Sequence, residues 1–437
     1  MDNSLLLPVA IGAASFGLLL WSVQLRKRHR LLCDLPTSKA GGVFIGFVEL
    51  KGTAEAEEPI RGFLTEKPCV HYRYRVEESW SRVVIETYTD ADGKTRRRTR
   101  TERGWSMIAA GGDMIPFYLR DETGAVLIRP QDATIEPKTL FRKTVGRSDP
   151  LYYAKAPAHA VAHSNHVRRF VEQGIPLHAP LYVVGQARER SDVVAPEIAA
   201  SKDAECFLIS TNDEERVTNG YSGASWLTWM LALAAAGTTG YFARNPAKPD
   251  SSQPIVVAVS IFFAVWIGLW IWMIYNSLVS LRERVRQAWS LIDVQLKRRH
   301  DLIPNLVAVL STDRTHEQSV QTALAGLRGQ AQATPINGEG GRELHGIAGS
   351  LRVVIENYPK LKANEGFTRL HRELVNTEQR IALARTYYND IATHFATRLE
   401  RVPDRFVARL GAMRPLPLLA ADDFERAEVR PNFSTET

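Results

Sequence analysis

Cysteine is scarce: there are 3 in 437 residues. Cys33, Cys69 and Cys206 are odd in number and far apart, which excludes a disulfide framework and a cysteine-rich zinc module, so all three read as reduced thiols. Charge of one sign is not dominant either. Against 48 acidic residues stand 55 basic ones, for a formal net charge of +7. That excess is too small to mark a nucleic-acid-binding chain, and no nucleic acid partner is expected. A Gly-rich phosphate loop, an HExxH pair and a serine or cysteine nucleophile motif are all missing, which removes the commonest routes to an enzyme.

What the chain has instead is apolar runs. From Leu5 to Val23 no residue is charged; about 19 helical residues cover roughly 28 Å, enough to cross a hydrocarbon core. Asp2 precedes this run and Arg26, Lys27, Arg28 and Arg30 follow it, the reverse of a cleaved signal peptide, so it reads as a retained anchor. A second run, Trp226 to Ala243, is rich in Ala and Gly, a composition that lets helices approach closely in a bilayer. A third, Ile255 to Tyr275, gathers Trp266, Trp270, Trp272 and Tyr275 toward one end, as interfacial aromatics do. The short connection with Pro246, Pro249 and Pro254 makes the last two runs a helical hairpin. Basic residues flank the first and third runs on their domain sides, Arg26 to Arg30 and then Arg282, Arg284, Arg286 and Lys297 to Arg299, while the hairpin loop holds only Arg244 and Lys248. The expectation is therefore a multi-pass protein of the bacterial inner membrane with both water-soluble domains on the cytoplasmic side.

Residues 42 to 135 predict β structure. Gly42 to Leu50, Val70 to Val76 and Arg82 to Thr89 are apolar, alternating or β-branched, and Phe117 to Ile128 contains the turn Asp121-Glu122-Thr123-Gly124. Asp92-Gly93 signals a hairpin whose tip carries Arg96, Arg97, Arg98, Arg100 and Arg103. Such a tip reads as a charged, solvated edge, with contact to anionic lipid headgroups as the alternative. His159, His163 and His166 stand at i, i+4 and i+7, so a helix over Ala156 to Phe170 would place them on one face. Three imidazoles can hold zinc, but no carboxylate sits between them as a base; the preferred reading is a polar face with no metal.

From Asn276 the pattern changes. Leu278, Leu281, Val285, Trp289, Ile292 and Leu296 recur at three- and four-residue steps, predicting a helix continuous with the third run and broken or kinked at Pro304. Further helices are predicted over Thr312 to Gln330 and Glu343 to Tyr358. A fourth is marked by Leu370, Leu374, Thr377, Ile381, Ala384, Tyr388, Ile391 and Phe395. Short connections favour an antiparallel bundle. The acidic tail around Asp422, Asp423, Glu425 and Glu428, interrupted by Phe424 and Phe433, is expected to pack on it.

Two resemblances attach to these segments. Gly42-Val-Phe-Ile-Gly-Phe-Val-Glu-Leu-Lys-Gly52, Lys67-Pro-Cys-Val-His-Tyr72, Phe117-Tyr-Leu-Arg-Asp-Glu-Thr-Gly-Ala-Val126, Val167-Arg-Arg-Phe-Val-Glu-Gln-Gly-Ile175 and Leu181-Tyr-Val-Val-Gly-Gln-Ala187 resemble the GIDE domain of a mitochondrial membrane-anchored ubiquitin ligase. The ligase also needs a RING with eight Cys or His zinc ligands, and no cysteine follows Tyr275, so the resemblance does not carry ligase activity over. Its mitochondrial placement corresponds to a periplasm, against the flanking charges, which are preferred.

Tyr275-Asn-Ser-Leu-Val279, Arg286-Gln-Ala-Trp289, Ile292-Asp-Val-Gln-Leu-Lys-Arg-Arg-His-Asp-Leu-Ile-Pro-Asn-Leu306, Glu356-Asn-Tyr-Pro-Lys-Leu-Lys-Ala-Asn364 and Thr377-Glu-Gln-Arg-Ile-Ala-Leu-Ala-Arg385 resemble the LemA family. This resemblance implies a membrane-anchored antiparallel four-helix bundle of unassigned activity. Its motif residues here are Asn276, Trp289, Asp293, Arg299, Asp301, Pro304, Asn305, Glu356, Asn357, Tyr358, Pro359, Glu378, Arg385, Tyr388 and Asn389. Their carboxylates and bases read as cross-links between helices ahead of an acid/base cluster.

The expected whole is a multi-domain α+β membrane protein with three transmembrane helices. Its segments are an anchor (1–24), a β-rich GIDE-like domain (25–224), a transmembrane hairpin (225–276) and a LemA-like bundle (277–437). Its expected role is a non-enzymatic, self-assembling scaffold or adaptor without cofactor, with membrane lipid and a second copy of itself as partners. A membrane-stress sensor or remodelling protein binding anionic lipid is the first alternative; a ligase-like or metal-hydrolase enzyme is the second.

Overall fold

The structure is a computed structural model that describes residues 6–89, 95–190, 195–201, 206–244, 251–312 and 365–419. Two compact units emerge, one from residues 37–220 and the other from residues 1–36 together with 221–437.

The first unit is built from two sheets. Strands β1 (Thr37–Ser38), β2 (Gly46–Glu55), β6 (Phe117–Arg120), β7 (Ala125–Ile128), β8 (Thr134–Glu136), β11 (Pro180–Glu189), β12 (Pro196–Ala199) and β13 (Leu208–Ser210) form one of them. Within it β2 pairs β6, β6 pairs β7, β7 pairs β12, β12 pairs β11, and β11 returns to β2, so five strands close a ring. Closure leaves these strands without free edges and gives one interior, filled by Val48, Leu50, Phe117, Leu119, Val126, Ile128, Leu181, Val183 and Ile198. Gly52 is required at the β2–β6 contact, where a Cβ would stand 2.4 Å from the Arg120 carbonyl oxygen.

The expected turn at Asp121 is there. Asp121 accepts from the backbone N–H of Thr123 (2.7 Å) and Gly124 (3.0 Å), and its second oxygen accepts from Ala40 N–H (2.8 Å), docking the preceding loop on the barrel.

The second sheet contains β3 (Ile60–Arg61), β4 (Pro68–Thr89), β5 (Thr95–Met114), β9 (Lys138–Gly146) and β10 (Ser164–Pro176). The two strands predicted at Val70 and Arg82 are one, β4, which pairs β5 from His71↔Met114 out to Thr89↔Thr95. The Asp92-Gly93 turn lies outside the described residues.

The second unit is helical. Helix α1 (Leu6–Cys33), α3 (Glu214–Phe242) and α4 (Gln253–Thr312) are followed by α5 (Glu365–Glu400) and α6 (Asp404–Leu410); a four-residue α2 (Leu151–Ala154) belongs to the first unit. Two helices, not the three expected, are long and apolar enough to cross a membrane among the described residues: α1 and the first part of α4. Only 6 % of the most apolar stretch of α4 is buried, which a soluble core helix would not tolerate. The expected second run is helical as α3 but falls short on apolarity, because Ala, Gly and Thr occupy positions that Leu or Ile would fill. Those small residues serve packing: Ser15 Oγ of α1 donates to Ala232 O (2.7 Å) and Ser22 Oγ to Ser225 O (2.9 Å), so α1 and α3 run antiparallel with Ala232 and Ala236 buried. Thr239 donates to its own helix at Ala235 O (2.8 Å).

Helix α4 is a single element of 60 residues with Pro304 inside it, so of the two expected outcomes at Pro304, a kink or an end, the helix does not end there. A proline removes one N–H and clashes locally, but one turn of a long packed helix tolerates this. Contacts Ser277 to Arg398, Trp289 to Tyr388 and Arg299 to Glu378 show α4 and α5 antiparallel. The helices predicted over Thr312 to Gln330 and Glu343 to Tyr358, and the acidic tail, lie outside the described residues, so two long antiparallel helices of the expected four are seen.

Candidate interaction site

The polar core of the helical unit gathers where α1 ends. Asp34, one residue beyond α1, receives Ser277 Oγ of α4 (3.0 Å), His394 Nε2 of α5 (3.2 Å) and a short ion pair from Arg398 Nη1. Arg398 Nε bonds Asp404 Oδ2 at 2.5 Å, and Arg30 Nη1 reaches Asp404 Oδ1 at 3.4 Å. Asp34, Arg398 and Asp404 are each at most 6 % exposed. Burial alone would raise the Asp34 carboxyl; the His394 hydrogen bond and the Arg398 charge outweigh it and hold it below its ordinary value. Burial acts against the Arg398 cation too, and its two carboxylates reverse the balance upward. This lock joins α1, α4, α5 and α6, and breaking such a buried pair costs roughly 3–5 kcal/mol. Of its members only Arg30 was singled out in the sequence. Arg398 was legible, since it falls three residues after Phe395 on an otherwise apolar stripe.

The motif residues of the bundle sit at crossings. Trp289 packs edge-on against Tyr388 at 5.4 Å between centroids, and Tyr388 Oη donates to Pro417 O (2.7 Å). Asn389 holds Leu419 at two points, donating to its carbonyl (3.0 Å) and accepting its N–H (2.9 Å). The pair thus fastens the extended segment after α6 to α5. Arg299, 2 % exposed, faces Glu378 at 3.5 Å. Asn276 and Asn305 cap carbonyls one turn back, at Trp272 and Asp301. Asp301 is exposed, while Asp293 and Arg385 are half-buried. Glu356, Asn357, Tyr358 and Pro359 lie outside the described residues.

In the β unit the histidine expectation fails. Residues 156–163 form a loop and β10 begins at Ser164; His163 and His166 have φ of 57° and 56°, which no right-handed helix permits. The cause is tertiary: Glu78, fully buried on β4, pairs Arg168 of β10 at 3.3 Å and accepts from Tyr152 Oη (2.7 Å) and Ser164 Oγ (2.6 Å). Arg168 also donates to His159 O (3.1 Å). Of the three histidines, His159 touches this salt bridge, through its backbone carbonyl. Among the described residues no group of three His, Cys, Asp or Glu side chains could hold a metal.

Glu49, 1 % exposed in β2, is pushed up to about 7, by burial first and by the nearby Glu214 charge. Its oxygens receive Thr37 Oγ1 (2.7 Å) and Tyr182 Oη (2.9 Å). A carboxyl near neutrality suits acid/base chemistry, but both oxygens are engaged inside the fold. The adjacent open cleft of about 440 Å³ is lined by Lys51, Tyr182, Asn212 and Glu214, and the Lys51–Glu214 pair (2.7 Å) occupies its charge.

The arginine-rich hairpin is a free ribbon. Beyond Ser81, whose N–H donates to His163 O (3.0 Å) and whose hydroxyl donates to Asn165 Oδ1 (2.7 Å), residues 82–89 and 95–102 pair with each other alone among the described residues; at 3.3–3.4 Å per residue that is roughly 27 Å of two-stranded sheet. Val83 and Ile85, more than 60 % exposed, share a face with the positions of Arg97 and Arg103, while Arg98 and Arg100 lie opposite Glu86 and Val84 on the other. Arg97 and Arg98 have no carboxylate partner among the described residues. At the end of α1, Arg26 stacks on Trp226 at 4.8 Å, and Lys27 and Arg28 are exposed.

Comparison with known proteins places these features. Residues 288–433 match the LemA family. Residues 85–242 match a second family, GIDE, described as E3 ubiquitin ligase. Protein LemA of Metamycoplasma hominis is 24 % identical over 178 residues, covering 40 % of this chain and 79 % of that protein. No solved structure matches. The Trp289, Tyr388 and Asn389 contacts fall inside the LemA match. So do His394, Arg398 and Asp404, whereas Asp34 and Ser277 lie before it; the lock therefore fastens the matched region to the end of α1. The GIDE match takes in the outer part of the ribbon, Arg168 and α3, while Glu78 lies before it.

Proposed function

We propose that this protein is a non-enzymatic membrane scaffold that presents a LemA bundle and a GIDE-like β unit on one side of a bacterial inner membrane, with both facing the cytoplasm. In this reading α3 crosses as well, paired with α1 through the Ser15 and Ser22 hydrogen bonds, so that the chain spans three times. The observation that carries the reading is the unbroken α4 together with the Asp34–Arg398–Asp404 lock, which makes anchor and bundle one stiff body. A protein that positions partners needs such stiffness, and the described charged residues of the helical unit build buried cross-links between helices. Self-association is part of the proposal, through long helices whose exposed faces carry Val294 and Val375.

Light scattering of the full chain in mild detergent, with crosslinking in intact membranes as control, tests this. A discrete oligomer in both settings supports the scaffold; a monomer in both removes self-assembly from it. A second reading, lipid sensing, draws on the free ribbon, since a two-stranded hairpin showing Val83, Ile85 and unpaired arginines suits an anionic bilayer surface. Unchanged vesicle flotation after replacing Arg97, Arg98 and Arg100 by Ser would discard it.

A further inference from the structure

Three helices meet around a small aromatic pocket just where α1 leaves its apolar stretch. Ser22 and Arg26 of α1, Trp226 and Trp229 of α3, and Trp266 and Trp270 of α4 line it. Its free volume is about 20 Å³, which admits one oxygen-sized group and excludes an acyl chain or a sterol. Three polar groups here lack what they need. Arg26, half-buried, has the Trp226 ring against it but no carboxylate among the described residues. Trp229 Nε1 is buried without an acceptor. Ser225 Oγ, on a residue 1 % exposed and next to Trp226, has no partner either. An orphaned indole N–H and an unpaired guanidinium beside one oxygen-sized space describe a receptor for an anionic oxygen. Around it the surface is apolar, with Trp226, Leu227 and Met230 each more than half exposed. The anion that arrives with hydrocarbon attached is a phospholipid.

We propose that this pocket binds the phosphate of a membrane glycerophospholipid, one non-ester oxygen entering between Arg26 and Trp229 while the acyl chains lie along α3. The site rests on the three-helix membrane reading above and gives its lipid partner a chemical identity and a location. It also explains a tryptophan cluster on α3 and α4 that packing alone would fill with Leu or Phe, since Trp combines a large apolar body with a hydrogen-bond donor.

Native mass spectrometry of the full chain, delipidated in detergent and titrated with phosphatidylglycerol, reads the site as one tightly retained adduct. Arg26→Gln removes the charge and Trp229→Phe removes only the N–H. Losing one charge-assisted hydrogen bond weakens retention on the order of tenfold, and losing the neutral donor by several-fold. Arg26→Lys restores part of the affinity. Diacylglycerol with the same chains leaves no adduct, and millimolar inorganic phosphate does not displace the lipid. Equal retention in wild type, Arg26→Gln and Trp229→Phe overturns the site. Displacement by inorganic phosphate overturns the lipid as source, and equal binding of diacylglycerol shows that only chains are read, which also overturns it. Alkaline carbonate extraction of membranes runs alongside: release of the chain would defeat the membrane reading itself, independently of the adduct result.

Discussion

Replacing Glu49 by Gln is expected to stabilise the β unit at neutral pH and above while leaving it nearly unchanged at pH 5. The carboxyl rises from an ordinary 4.5 to about 7 in the fold, chiefly because burial penalises its charge. With the folded value raised, its contribution to stability is complete below about 4.5 and is lost as pH climbs through about 7. At 1.36 kcal/mol per unit the loss amounts to about 3 kcal/mol by pH 8. Gln never ionises and so never incurs it. A protonated Glu49 and a Gln offer the same oxygen and the same kind of donor to Thr37 and Tyr182, which is why the two proteins converge in acid. At pH 8 the variant forgoes one carboxylate hydrogen bond, about 1 kcal/mol, leaving a net gain of about 2 kcal/mol, or roughly thirtyfold in protection. Hydrogen–deuterium exchange of the full chain, corrected for intrinsic rates and followed in peptides covering β2 and β11, measures this between pH 5 and 8. Parallel profiles for the two proteins would refute the reasoning and mean that Lys51, 3.8 Å from Glu49, keeps the carboxylate charged.

The remaining predictions address the helical unit and the ribbon. Asp34→Ala leaves Arg398 with one carboxylate and should cost about 3 kcal/mol, seen as a drop in the thermal midpoint and faster exchange at the end of α5. Because Asp34 is held below its ordinary 3.8, its contribution is present above that value and disappears as pH falls through the lower folded one; wild type and variant should therefore converge in strong acid. Asn389→Ala removes both bonds to Leu419 and should release the segment after α6 to limited proteolysis, at a cost of about 2 kcal/mol, with α5 itself intact. Arg168→Met orphans the buried Glu78 and should destabilise the second sheet by roughly 3–5 kcal/mol, whereas the double change with Glu78→Leu should recover much of that loss in a denaturant melt.

Much of this protein was legible in local pattern. Apolar runs marked α1 and the first part of α4, a three- and four-residue stripe marked α5, and the Asp121-Glu-Thr-Gly124 turn with its flanking strands fell where expected, because each of these depends on neighbours within a few residues. The Arg26–Trp226 contact joins residues two hundred positions apart; Arg26 was visible as a basic flank, and Trp226 only as the first residue of the second apolar run. Other features had no local signature. Residues 156–170 have a helix-compatible composition, and it is pairing with β4 and β9, together with the buried Glu78–Arg168 ion pair, that holds the segment from Ser164 in a sheet. Closure of the barrel by β2 against β11, the proton on Glu49 and the lock around Asp34 likewise depend on groups brought together from distant positions. Helical periodicity and turn chemistry are properties of a short stretch of chain, and the sequence alone determines them; the burial of a charge and the partner that compensates it are properties of the packed interior, and only the tertiary structure decides those.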